Sequence, residues 1–248
     1  MFDKTIVTVE NPYFPLDTLL KAVHIDENSD PEDIADITRM YHEALAVARP
    51  KALFGVAGIE EKAKDTVTVD GVCFHSSLVS ENLEHTNRII PYVVTCGTEA
   101  EQWSQAYQDD PLTQFWADSI KLQLLGLARQ KLNDEISKYF PSGKFSAMSP
   151  GSLPAWPLPQ QRPLFELLGG VTPDIGVELT PSYLLLPSKS GSGFFFTSGD
   201  HYENCRYCPL LDCPGRRAPF EKELRGTEEY ENIFKSQEKV PIDFEEMD

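Results

Sequence analysis

"SPGSLPAWPLPQQRPLFELLGGVTPDIGVELTPSYLLLPSKSGSGFFF", residues 149–196, is the stretch whose reading decides the fold. Its first part belongs to a Pro/Gly/Ser-rich run from residue 140 to 159 that could pass for a linker. Phe145, Met148, Leu153 and Trp156 punctuate that run with large apolar side chains, so a loop packed against a core is expected instead. "PQQRPLFELLGG" then reads as a short helix, and "SYLLLP" and "GFFFTSG" read as β segments. Alternation along the last of these sends Phe195 to the face opposite Phe194 and Phe196.

Working outward towards the N-terminus, "TIVTV" at Thr5 to Val9 alternates like a strand, and "PLDTLLKAV" is a short helical candidate. Asp30-Pro31 is a helix start, and Ile34, Ile37, Tyr41, Ala44, Leu45 and Ala48 follow at helical spacing up to Pro50. "ALFGVAGI" reads as one buried strand, and "TVTVDGVCF" as two strands joined by Asp70-Gly71, a two-residue hairpin signal. "RIIPYVVT" (Arg88 to Thr95) is a further strand that leads into a strand-to-helix turn at Gly97 and Thr98. The longest helical pattern runs from Pro111 to Tyr139, with Phe115, Ile120, Leu124, Leu127, Ala128 and Leu132 on one face.

Composition excludes several function classes. Forty-one per cent hydrophobic and 10% aromatic residues describe a globular chain of 248 residues. Its 22 basic and 39 acidic residues leave a net charge of -17, which repels phosphate backbones and anionic lipid, so neither nucleic acid nor membrane is an expected partner. No apolar stretch approaches the roughly 20 residues of a membrane helix. "MFDKTIVTVENP" lacks the basic flank and apolar core of a secretory signal, so a cytoplasmic location is expected.

The motifs "SPG", "WPLPQQ", "IGVELTPS" and "P.KS.SG" followed by an aromatic strand, with a weaker echo at "IIPYVVTCGTEAE", resemble the activation domain of cobalamin-dependent methionine synthase and its free-standing relatives in anaerobes. The resemblance covers about half of the chain and implies an α+β fold, a curved antiparallel sheet flanked by helices. It also implies a corrinoid protein or corrinoid-dependent methyltransferase as partner, and a role in returning an inactivated Co(II) corrinoid to its methylated state. Cofactor contacts are implied for Ser149, Pro150, Gly151, Ser152, Ser190 and Gly193. The family's Arg-x-x-Pro-Gly-Tyr pattern departs here to Ala147 and Ser152 around the retained Pro150-Gly151, and alanine cannot clamp a carboxylate. Weak or absent binding of S-adenosylmethionine is therefore expected.

Three of the five cysteines, Cys205, Cys208 and Cys213, fall within "HYENCRYCPLLDCPGRRAPF" at residues 201–220. In a reducing compartment this Cys-x2-Cys-x4-Cys spacing points to a metal or redox site before a disulfide framework. Thiolates suit an iron–sulfur cluster or zinc, and either wants a fourth ligand. Cys96 in "TCGTE", Cys73 in the hairpin and His201 are the candidates. Arg216 and Arg217 could pair with cluster sulfurs or a corrinoid carboxylate, or stand in solvent, and "SKSGSG" could form an anion nest or a β-turn.

The chain carries no flavin or nicotinamide fingerprint, so a reductive task would need an iron–sulfur centre to supply the electron. The expected function is an accessory protein that assists reductive reactivation of a corrinoid protein. The alternative is a non-enzymatic corrinoid-protein-binding or assembly protein with a structural zinc and a degenerate S-adenosylmethionine site. Residues 1–220 are expected as one activation-domain-like unit, and residues 221–248 as an acidic tail.

Overall fold

In the computed structural model, residues 3–140, 145–197, 202–212, 216 and 218–235 are described. The elements run β1 (Lys4–Thr8), α1 (Leu16–Ala22), α2 (Pro31–Val47), β2 (Lys51–Gly55), β3 (Ala57–Lys62), β4 (Thr66–Val69), β5 (Val72–His75), α3 (Ser77–Asn82) and β6 (Arg88–Thr95). They continue with α4 (Thr98–Ser104), α5 (Pro111–Ser137), β7 (Ser146–Met148), α6 (Gln161–Leu168), α7 (Val171–Ile175), β8 (Glu178–Leu179), β9 (Leu185–Leu186), β10 (Ser190–Phe196), α8 (Asn204–Tyr207) and α9 (Glu228–Lys235). This is a mixed α and β protein whose strands are mostly antiparallel and whose helices flank them, as the resemblance implied.

Local chemistry sets the element boundaries. Asp30 caps α2 by accepting the Glu32 N–H at 2.9 Å, and Asp110 caps α5 through the Thr113 N–H at 2.8 Å, each just before a proline with no N–H to satisfy. Asp70 (φ 44°) and Gly71 (φ 83°) both turn left-handed, the geometry of a tight hairpin turn between β4 and β5.

The chain divides into two compact units. The first comprises residues 1–56, 90–143 and 168–192. In it β1 pairs with β2, and β2 with the second half of β6, both antiparallel. Ile37, Met40, Tyr41 and Ala44 of α2, and Trp116, Ala117, Ile120, Leu124 and Leu132 of α5, are buried. Phe115, expected on the buried face of α5, is 48% exposed, and Trp116 and Ala117 are buried instead. "SYLLLP" is extended only at Leu185–Leu186, and Leu184 and Leu186 face solvent.

The second unit comprises residues 57–89, 144–167 and 193–248. It contains the antiparallel meander β3–β4–β5, the first residues of β6 paired with β3, and β7 paired with the end of β10. "ALFGVAGI" is therefore two strands, not one, because β2 and β3 part at Val56 and take different partners. Both faces of β10 are covered. Phe194 lies 4.7 Å from the Trp156 ring and 6.2 Å from Phe74, and Phe195 lies 5.5 Å from Phe145. Among the described residues no helix is long and apolar enough to cross a membrane.

Candidate functional site

The turn Ser149–Ser152 owes its shape to glycines. A Cβ on Gly193 would lie 2.1 Å from the Met148 carbonyl oxygen, so only glycine lets β10 pass this close to the loop. Gly151 takes φ 80°, and its N–H donates to the Trp156 carbonyl at 2.7 Å. The Ser152 hydroxyl donates to the Ser149 carbonyl at 2.6 Å and closes the turn. The "WPLPQQ" motif anchors the loop's far end: Trp156 is buried, the Gln160 side-chain oxygen accepts from the His75 N–H at 2.8 Å, and the Ala155 carbonyl accepts from the Ser76 hydroxyl at 2.6 Å. Ser149, Pro150, Gly151, Ser152 and Gly193 thus come together in the second unit. Ser190 belongs to the first unit, where its hydroxyl donates to the Thr95 hydroxyl at 2.9 Å. "SKSGSG" is neither nest nor turn from Ser190 onward, because those residues are in β10.

The cysteine segment is stitched to this loop. Glu203 forms an isolated parallel bridge with Ala147, and the Asn204 side-chain amide donates to the Ser152 hydroxyl at 2.6 Å. These two loop positions are where the resemblance expects an arginine and a tyrosine, and here small residues meet the segment instead. Tyr202 stacks on Tyr207 at 6.0 Å and lies 6.3 Å from the Phe196 ring, all three buried. Arg206 forks onto Glu221, Nε to Oε1 at 2.6 Å and Nη2 to Oε2 at 2.9 Å, and this pairing lowers the Glu221 carboxyl pKa. Ser146 Oγ and Asn204 Oδ1, one residue from either end of the bridge, are buried without a hydrogen-bond partner among the described residues. Sequence reading missed Glu203 and Asn204. Their adjacency to Cys205 was the available signal, but the partners lie more than 50 positions away.

Cys205 and Cys208 are half-buried, on and just after α8. Cys213, His201 and Arg217 lie outside the described residues. Among the described residues no three His, Cys, Asp or Glu side chains form a group able to hold a metal. Arg216 is neither an anion partner nor a solvated charge, because its guanidinium is spent on backbone carbonyls of the segment.

Cys73 is exposed in the β4–β5 hairpin. Cys96 is fully buried at the end of β6 in the first unit, and its thiol donates to the Gly97 carbonyl at 3.7 Å. Burial first, and the Glu101 carboxylate second, push this thiol up to about 12. Around it Lys121 is held by Glu101 and Asp118 at 3.1 Å each, and Lys189 by Asp118 at 3.2 Å, so the charges near the thiol are already neutralised. An open groove of about 670 Å³ in the second unit is lined by Lys62, Lys64, Asp65, Ser77, Glu81 and Asn232 among others. Among the described residues it shares no lining residue with the loop or the cysteine segment, and its mixed charges favour no ligand class.

The fold has a counterpart among solved structures. The crystal structure of the MetH reactivation domain bound to AdoHcy matches with a TM-score of 0.60 over 82% of this chain and 80% of that one, at 16% identity. The fold is that of the MetH reactivation domain. No protein-family model matches the chain, and no curated protein sequence matches it. The MetH-like fold thus extends well beyond the half of the chain that carries the motif resemblance.

Proposed function

We propose that this protein is an accessory of a corrinoid-dependent methyltransferase system. It docks on a corrinoid protein and assists its reductive reactivation through an iron–sulfur centre held by Cys205, Cys208 and Cys213. The MetH-like fold supports the partner class. The observation that carries the reading is the attachment of the cysteine segment to the 146–153 loop, through Glu203 to Ala147 and Asn204 to Ser152. In the resemblance this loop is the one beside the corrinoid and the methyl donor. A redox segment fastened there is well placed to serve the same partner.

The described residues offer the proposed centre two thiols, Cys205 and Cys208, and do not fit S-adenosylmethionine. Cys205 and Cys208 are accessible enough to ligate, and a loop of this spacing can turn a third thiol to the same centre. A bound cluster would supply the single electron that Co(II) reduction needs. For the methyl donor, Ala147 is buried beside Glu203 and offers no cation to a carboxylate. The chain's own residues hold the segment: the Arg206–Glu221 fork closes it on one side, and the Tyr202–Tyr207 stack seats it on β10. Cys96 is buried in the first unit, and the centre proposed for the cysteine segment is drawn without it.

Anaerobic purification followed by iron, sulfide and zinc analysis tests the centre, and reduction of a Co(II) corrinoid protein in its presence tests the role. Iron with equimolar sulfide and faster cobalt reduction is the expected result. Stoichiometric zinc without sulfide supports the alternative, a binding or assembly protein with a structural clip.

A further inference from the structure

We infer that the solvent face of α5 is a self-association surface, on which a second copy of this chain packs its own α5 antiparallel about a two-fold axis.

Helix α5 is apolar on both sides. Trp116, Ile120 and Leu124 are buried on one, while Leu112, Phe115 and Leu122 stand 47%, 48% and 45% exposed on the other. Leu112, Phe115, Ser119, Leu122 and Gly126 follow one another at alternating spacings of three and four, the seam of a two-helix contact. Between Pro111 and Ala128 every exposed position is uncharged. Asp118, half-buried beside the seam, is held by Lys121 and Lys189. In a chain with a net charge of -17, such a face is where two copies approach with least repulsion.

The seam also alternates large and small side chains so that it complements itself. A two-fold axis crossing between Ile120 and Lys121 sets Phe115 against the partner's Gly126 and Leu122 against the partner's Ser119, and symmetry repeats both contacts. Gly126 thereby gains a reason. Within the chain an added Cβ would meet nothing within 4 Å, and glycine inside a helix is destabilising relative to alanine, whereas an incoming phenyl ring needs the space. Ser119 is ready for burial, because its hydroxyl already donates to the Phe115 carbonyl at 2.9 Å. A seam about 21 Å long and about 10 Å wide falls short of the roughly 800 Å² per partner of a standard interface, so a weak, reversible dimer is expected, with a dissociation constant on the order of 10–100 μM.

Sedimentation velocity from about 1 to about 500 μM brackets that range and tests the inference. Wild type is expected to pass from monomer to dimer. Leu122→Glu and Leu122→Lys are each expected to weaken association about a hundredfold, because a two-fold contact counts every substitution twice. Mixed in equal amounts, these two variants are expected to dimerise again, since the two copies of position 122 lie within about one helical turn, 5.4 Å, of each other along the helix. Unchanged urea midpoints at the lowest concentration show that the variants fold. Gly126→Ala separates association from folding: it should stabilise the dissociated chain and weaken the dimer about tenfold by filling the seat of Phe115. Wild type that stays monomeric throughout overturns the inference and leaves the face to a partner of another kind. Undiminished dimers in Leu122→Glu, no rescue on mixing, or a Gly126→Ala dimer as tight as wild type overturn it as well.

Discussion

Cys96 and the Cys205–Cys208 segment carry the same functional group into opposite surroundings. Cys96 ends a central strand with no exposed surface, among ion pairs already closed on themselves. Cys205 and Cys208 sit half-exposed on a segment whose carbonyls are gathered by an arginine and whose neighbours bond to the 146–153 loop. A thiol's chemistry is set by whether its anion can be accommodated, and at Cys96 burial works against the anion. The sequence grouped Cys205, Cys208 and Cys213 by spacing and left Cys96 as a candidate fourth ligand to them. The fold separates them.

The largest expected effect breaks or upholds that separation. Cys205→Ser, Cys208→Ser and Cys213→Ser should each lose most of the bound metal, while Cys96→Ser keeps it, as read by anaerobic metal analysis. Loss of metal in Cys96→Ser would put the buried thiol back into the site. Alkylation comes next. With its pKa raised from 9.0 to about 12, Cys96 in the folded protein should react about a thousandfold slower at pH 8 than in the unfolded chain, whereas Cys205 and Cys208 label without denaturant.

Gly193→Ala sharpens the comparison from the side of the loop. A Cβ placed 2.1 Å from a backbone carbonyl forces β10 and the loop apart, at a cost of about 3 kcal/mol in urea unfolding. Gly126→Ala in α5, where an added Cβ meets nothing within 4 Å, should instead stabilise the protein by about 0.5–1 kcal/mol.

A smaller effect per step is the pH dependence that Cys96 imposes. Its folded pKa lies above the unfolded value, so above pH 9 the unfolded chain gives up a proton that the native state retains, and stability falls as pH rises towards 12. The slope from this one group is about 1.4 kcal/mol per pH unit, and Cys96→Ala should remove it. Last, calorimetric titration with S-adenosylmethionine should show no tight binding. Ala147→Arg should not create it, because Glu203 bridges to that position.

What the sequence by itself determined lies in short-range chemistry. Asp30-Pro31 and Asp110-Pro111 start their helices where the cap and the missing N–H require, and Asp70-Gly71 makes the hairpin because both residues tolerate left-handed backbone. "RIIPYVVT" is β6 from end to end. The motif run over residues 149–196 pointed to the α+β fold through its family resemblance, and its Gly151 and Gly193 are residues that the turn and the close approach of β10 cannot replace. The tertiary structure alone decided which apolar residues are inside: Phe115 and Trp116 are adjacent on α5, and only the packing around the helix exposes one and buries the other. It also decided that Cys96 is a core thiol, that Ala147 and Ser152 meet Glu203 and Asn204, and that Arg216 faces carbonyls and not an anion. Each of these depends on groups brought together across the chain, and burial and hydrogen bonding act through distance in space, which spacing along a sequence does not encode.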